Sequence, residues 1–342
     1  MKKTIIALVA LGAMADIAHA QSNVEIYGLF DLALTKKDVN TGTAYASNGP
    51  STPSASSPTS DKLMMSQKYS SRIGFRGTEE LGGGLKATFQ LEKRFNPYDG
   101  SNASSTGLDF EGASNVGLAG NFGAVRLGRV NNPLDETMRT FDPFAEFGVA
   151  SRIMTKVAYL RQSSTARYDS PTVSGFSGTA AYQLESTTTT AASNAGYTAL
   201  AKYNNGPVAL AAGYDKRADS SDSDQWSIAG AYAFGPARVS LIYDGSTLKS
   251  ESAQDIDQKN WLLGLAYRIG AGTANASFQH LKWEQGSTDR TDKRYGLGYT
   301  HDLSKRTSVY AEYSLTKGDN VRATNGGDDS YSAVSIGMTH KF

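Results

Sequence analysis

The side chains best placed to act on another molecule are cations set in strand-like rows. Arg72, Arg76, Lys86, Arg94, Arg126, Arg161 and Arg167 each fall on the face opposite an apolar neighbour, such as Ile73 and Phe75, Leu85 and Leu91, Val125 and Leu127, or Tyr168. Arg129 shares the parity of Val125 and Leu127, so it joins this basic wall only through a bulge or a strand end. A second set lies between 130 and 160, where Asp135, Glu136, Asp142 and Glu146 stand among Phe141, Phe144 and Phe147. Such groups break no bonds alone. Opposed across water, an acidic loop and a basic wall set a lateral field that orients charged and dipolar solutes.

Bond-making chemistry has little to stand on. A hydrolase needs a nucleophile, a base and oxyanion donors, yet the four histidines are scattered at His19, His280, His301 and His340. The chain carries no Gly-x-Ser-x-Gly elbow, no phosphate-cradling Walker loop, no His-Glu-x-x-His pair and no compact calcium loop. With 0 Cys there is no disulfide, thiolate or Cys-ligated metal. No catalytic residue, metal or cofactor is expected. The 34 basic residues against 33 acidic ones leave no broad positive field, which excludes a nucleic-acid partner.

These side chains need elements to hold them. Residues 1–20 read as an export leader that is cleaved: Lys2 and Lys3, an apolar stretch from Thr4 to Ala15, then Ala18-His19-Ala20 before Gln21. Its loss removes Lys2, Lys3 and Asp16, so the mature chain is formally neutral. From 21 to 342 the period is two. Val24, Ile26, Phe30 and Leu32 share one face and Glu25, Tyr27 and Asp31 the other; Leu85, Ala87, Phe89 and Leu91 oppose Lys86, Thr88, Gln90 and Glu92. Half-polar strands of this kind suit lipid on one side and water on the other.

The connections alternate in length. Short ones at Leu81-Gly82-Gly83-Gly84, Gly120-Asn121-Phe122-Gly123, Asn204-Asn205-Gly206-Pro207 and Gly235-Pro236 alternate with long polar ones, including 36 to 61, 130 to 160, 245 to 257, 284 to 291 and 318 to 329. The Ser/Pro/Thr-rich run from Asn48 to Ser60 is read as an external loop, since only one strand precedes it. Sixteen strands are predicted, the second over 62 to 79. Open strand edges in lipid leave backbone groups unpaired, so the sheet must close, and a closed sheet of this size encloses water.

Three passages carry a family likeness: Ser71-Arg72-Ile73-Gly74-Phe75-Arg76-Gly77-Thr78-Glu79-Glu80-Leu81-Gly82-Gly83-Gly84-Leu85-Lys86-Ala87, Val116 to Arg129, and Arg167-Tyr168-Asp169-Ser170-Pro171. The chain resembles the general porins of Gram-negative bacteria, in the betaproteobacterial branch that includes the neisserial porins. The resemblance implies an all-β, 16-stranded antiparallel transmembrane β-barrel in the cell outer membrane. It implies short periplasmic turns, long extracellular loops, an inward-folded third loop at 130–160 and a homotrimer. Inorganic ions and small hydrophilic solutes are then the partners, crossing by passive diffusion, with outer-membrane lipids around the barrel. The alternating terminal strand ends at Phe342, which the resemblance casts as a signal to the outer-membrane assembly machinery. The arginines of the first six strands predict a modest anion preference. The alternative is a substrate-specific channel in which the loop aromatics form a solute track; a soluble β-sandwich or adhesin needs the apolar rows inside.

Overall fold

A computed structural model describes residues 23–38, 62–103, 108–145, 147–155, 157, 160–185, 194–250, 253–319 and 330–342. The expected leader at 1–20, the run 48–60 and Glu146 lie outside the described residues. The strands are β1 (Asn23–Asp38), β2 (Leu63–Ser66), β3 (Arg72–Gly82), β4 (Leu85–Arg94), β5 (Ser114–Gly120), β6 (Gly123–Asn131), β7 (Arg161–Asp169), β8 (Phe176–Gln183), β9 (Gly196–Asn205), β10 (Val208–Lys216), β11 (Asp224–Phe234), β12 (Ala237–Leu248), β13 (Ile256–Ile269), β14 (Gly272–Gln285), β15 (Thr288–Asp302), β16 (Thr307–Gly318) and β17 (Ser330–Lys341). Each pairs antiparallel with its neighbours. β1 closes the ring on β17, from Leu29 opposite Lys341 to Asp38 opposite Ser332.

The second barrel strand is in two pieces. β1 pairs with β3 from Asn23 opposite Thr78 to Leu29 opposite Arg72, and farther along with β2 from Ala33 opposite Ser66 to Lys36 opposite Leu63. Taken together, β2 and β3 are one wall strand and the barrel has sixteen. At the break, side chains replace the missing ladder: the Lys68 N–H donates to Asp31 Oδ1 at 2.6 Å, the Asp31 N–H to Ser71 Oγ at 3.0 Å, and the Ser71 N–H to Gln67 Oε1 at 2.7 Å. Buried backbone groups stay satisfied, so the interruption is tolerated inside a membrane wall.

Parity sorts the two faces as expected. Val24, Ile26, Phe30 and Leu34 are exposed on the outside, while Leu29, Asp31, Ala33 and Thr35 are buried toward the lumen. Turns at one rim are tight, and Gly82, Gly83 and Gly84 take φ of 89°, 58° and 80°, a region costly to residues with a Cβ. One long connection is absent. The expected loop at 284 to 291 is a hairpin in which β14 and β15 run on until Gln285 faces Thr288, turning at Gly286 with φ 59°. Glu284 facing Asp257 and Asp289 extends the ladder beyond the apolar rows, so the polar composition that predicts a loop here belongs to paired strand ends.

Candidate functional site: the constriction of the lumen

After β6 the chain turns into the barrel. Asn132 caps a short helix, α1 (Pro133–Met138), its side chain accepting the Asp135 N–H at 3.1 Å, and Pro133 fits the first turn, where no N–H partner is needed. Leu134, Met138 and Phe141 then bury against Leu200, Ala211, Ala229, Ala231, Ile242 and Leu262 on the inner wall of β9 to β13. Farther on, Phe144 seats over two side-chain-free positions: a Cβ at Gly296 or Gly298 would stand 3.0 or 2.8 Å from its ring.

A polar latch completes the docking. The Arg152 guanidinium donates to both oxygens of Asp244, at 2.9 and 3.2 Å, and Asn260 donates to Asp244 at 2.9 Å. Gln279 accepts the Ile153 N–H and donates to the Ile153 carbonyl, both at 2.7 Å, Thr155 donates to Gln225 at 2.8 Å, and Arg294 donates to the Val149 carbonyl. The tip is held from the strand break as well, with Phe147 edge-on to Tyr69 at 5.3 Å, while the neighbouring Lys68 ties the break to Glu312 on β16 at 2.5 Å.

This docking corrects the acidic side of the expected field. Asp142 is buried and accepts the N–H groups of Phe144 at 3.0 Å and Arg152 at 2.9 Å; it shapes the loop instead of facing water. Asp135 is buried too, 3.4 Å from Arg139 and 3.8 Å from Arg152. Glu136 alone of the described loop acids reaches the opposite wall, accepting from Arg167 at 2.7 Å and Asn131 at 2.8 Å. Burial pushes its carboxyl up, but the Arg167 charge and the Asn131 amide outweigh burial and hold it below the ordinary range.

The basic wall forms two clusters. In the first, Arg94 donates from Nε and a terminal nitrogen to Glu92 Oε1, both at 3.0 Å, while Arg72 and Arg161 stand 3.7 and 3.8 Å from the same carboxylate and the Tyr27 hydroxyl donates to Oε2 at 3.2 Å. In the second, Asp169 pairs with Arg126 at 2.5 Å and Arg167 at 2.8 Å. Arg76 is bidentate on Glu25, at 2.8 and 2.9 Å. Arg72, Arg76, Arg126 and Arg161 line one open recess with Arg139 from the loop, Lys341, Glu25 and Glu92.

Two residues of the expected wall fall elsewhere. Lys86 pairs with Glu80 at 2.6 Å beside the Gly82–Gly84 turn, at the rim and away from the recess. Arg129 keeps the outward parity opposite Ser114, and its guanidinium donates to the Glu111 carbonyl at 2.8 Å and Ser163 Oγ at 2.7 Å. The register does shift between Gly128 and Val130, but the extra residue lies in β7 near Ser164, so β6 keeps its alternation, with Val130 inward like Arg126 and Arg129 outward. Sequence reasoning overlooked Glu92, Asp169 and Glu25 as wall carboxylates. Their signal was present, since Glu92 and Asp169 each stand two residues from an arginine on the same row. Phe342 completes the seam: its N–H and carbonyl pair with Gly28 at 3.1 and 3.0 Å, and its ring lies over that glycine.

A model of the Gram-negative porins matches residues 7–321. The chain belongs to the Gram-negative porin family. This porin is 30% identical, over the whole of both chains, to outer membrane porin protein 32 of Delftia acidovorans and also to major outer membrane protein P.IB of Neisseria meningitidis serogroup A. The porin's structure resembles the anion-selective porin from Comamonas acidovorans with a TM-score of 0.76 and 25% identity, over 94% of this chain and 100% of that one. It is a multi-pass outer-membrane protein through which solutes cross by passive diffusion. The closed ladder supplies the wall, and the loop after β6 packs against its inner face.

Proposed function

We propose that this porin passes small hydrophilic solutes with a modest preference for anions, without making or breaking their bonds. The observation that carries the reading is the recess at the docked loop, whose described lining holds the cations Arg72, Arg76, Arg126, Arg139, Arg161 and Lys341 against the carboxylates Glu25 and Glu92, with Asp169 and Asp135 pairing Arg126 and Arg139 behind it. The similarity to an anion-selective porin supports it. Reconstituted in a planar bilayer under a KCl gradient, the porin gives a reversal potential on the chloride side; a clear potassium preference overturns the reading. Saturable flux confined to one solute class marks a substrate-specific channel instead.

The outer face suggests what surrounds the barrel. Exposed tyrosines and tryptophans mark membrane interfaces, and Tyr168, Tyr182, Tyr197, Tyr214, Tyr232, Tyr243, Tyr267, Tyr295, Tyr299 and Tyr313 are exposed on strands β7 to β16. On β17 and β1 to β6, the large hydrophobic side chains described as exposed include no Tyr or Trp; among them are Val24, Ile26, Phe30, Leu34, Ile73, Phe75, Phe89, Val116, Leu118, Leu127, Ile336 and Met338, with Phe342 at the end. Further copies of the chain, in the homotrimer the resemblance implies, cover this girdle-free face, and lipid covers the rest. The Phe342 seam on the same face fits a role in assembly, since its pairing with Gly28 completes closure. Cross-linking between cysteines placed at Val116 and Ile336 forms trimers; cross-linking only from β9 and β11 positions overturns the assignment.

A further inference from the structure

We infer that Glu92 is a resident counter-ion that sets how tightly the arginine cluster holds a passing anion. The inference rests on the anion-preferring reading and adds a specificity-determining residue to it. Glu92 is buried at 6% exposure on the luminal row of β4. Arg94, also 6% exposed, spends two hydrogen bonds on Glu92 Oε1 and so is satisfied within the wall. Arg72, 3.7 Å from Oε2, and Arg161, 3.8 Å from Oε1, lie beyond ordinary hydrogen-bond reach of the carboxylate. They keep donors for a solute.

The arithmetic of charge gives the carboxylate its role. Three guanidiniums without a counter-charge form a trap for compact oxyanions, since Arg presents a rigid fork of donors to planar or tetrahedral anions. Conduction requires a site strong enough to admit an ion and weak enough to release it. With Glu92 in place the cluster carries two net positive charges, and the fixed carboxylate occupies the centre that a sulfate or phosphate would take. The Tyr27 hydroxyl, donating to Oε2 at 3.2 Å, and Gln90, donating to Tyr27 at 2.6 Å, fix the carboxylate in that place. An anion therefore meets Arg72 and Arg161 in passing.

Glu92→Gln tests this in planar bilayers, with reversal potential in KCl and block of chloride current by added sulfate as the two readouts. E92Q moves the reversal potential farther toward the chloride limit. The half-blocking sulfate concentration falls about threefold or more, a small part of what a unit charge at 4 Å supplies at an effective dielectric of 20. E92D keeps the charge but withdraws it by one methylene; it shifts both readouts the same way by less, and carries the test if E92Q does not assemble. A carboxylate that merely props up the wall changes stability and leaves ion ratio and sulfate block at their wild-type values. That result, or a shift toward potassium, overturns the role of Glu92. Failure of the anion reading shows separately, in the wild-type reversal potential itself.

Discussion

The inner wall holds two surfaces built on the same alternation. From β9 to β13 the inward row carries Leu200, Ala211, Ala229, Ile242 and Leu262, and the loop seals them from water. From β3 to β7 it carries Arg72, Arg76, Arg126 and Arg167, and the loop leaves space in front of most of them. A row facing the lumen is thus apolar where the loop seals it, apart from the latch residues Asp244, Asn260 and Gln279 that bond the loop itself, and charged where the recess stays open. One half of the wall fixes the constriction; the other gives it charge.

The comparison breaks most sharply at the latch. A buried ion pair contributes little net stability over a hydrophobic substitute, but removal of one partner strands the other charge, at a cost of about 3–5 kcal/mol. Arg152→Ala leaves Asp244 with Asn260 alone as its anchor among the contacts described above, so the loop detaches on that side. The thermal midpoint of the detergent-solubilised porin falls and single-channel conductance rises with added noise; unchanged conductance removes the latch from the constriction. The apolar seat comes next. Leu134→Ala opens a cavity between α1 and β9–β11 worth about 2–5 kcal/mol. It destabilises the loop without altering any charge, so conductance changes while the chloride-to-potassium ratio does not. A shifted ratio would show that the two surfaces are not separable.

Much of this was legible in the residues. Alternation and turn glycines placed the strands, and the parity of Arg72, Arg94 and Arg126 put them on the inner wall. The apolar seat also left a trace: Leu241-Ile242 and Leu262-Leu263 put apolar residues on both faces, which a half-polar strand does not need unless something dry covers the inside. The pairing of charges was less accessible. Parity gives the side of the wall but not the partner, so it could not show that Asp135 and Asp142 turn back into their own loop or that Glu92 gathers three arginines. Those contacts depend on how far the loop descends, which hydrophobic docking and the latch decide together.

Within the charged half, the degree of pairing ranks the arginines. Arg72 has its nearest carboxylate at 3.7 Å and is partly exposed, whereas Arg94 is buried and donates twice to Glu92. Arg72→Gln shifts permeability toward potassium by more than Arg94→Gln, measured as reversal potentials in the same KCl gradient. The reverse order means that burial does not screen a luminal charge here.

The smallest effect joins the two halves, because Glu136 stands on the loop and pairs with Arg167 on the wall. Its carboxyl is held below the ordinary value of about 4.3 for Glu: burial opposes the charge, but Arg167, the Asn131 amide and the more distant Arg126 outweigh it. A lowered folded value means that the charged form favours the docked arrangement. That contribution is complete above the ordinary Glu range and is lost as the pH falls through the lowered value. Acidification below about pH 4.3 therefore makes the wild-type current noisier and raises its chloride-to-potassium ratio as Arg167 loses its partner. Because Arg167 also contacts Asp169, the informative quantity is the difference between wild type and Glu136→Gln. At pH 7 the variant already shows the noise and the raised ratio; toward pH 3 the two proteins converge. If they differ by the same amount at both pH values, the Glu136–Arg167 pair does not couple the loop to the wall.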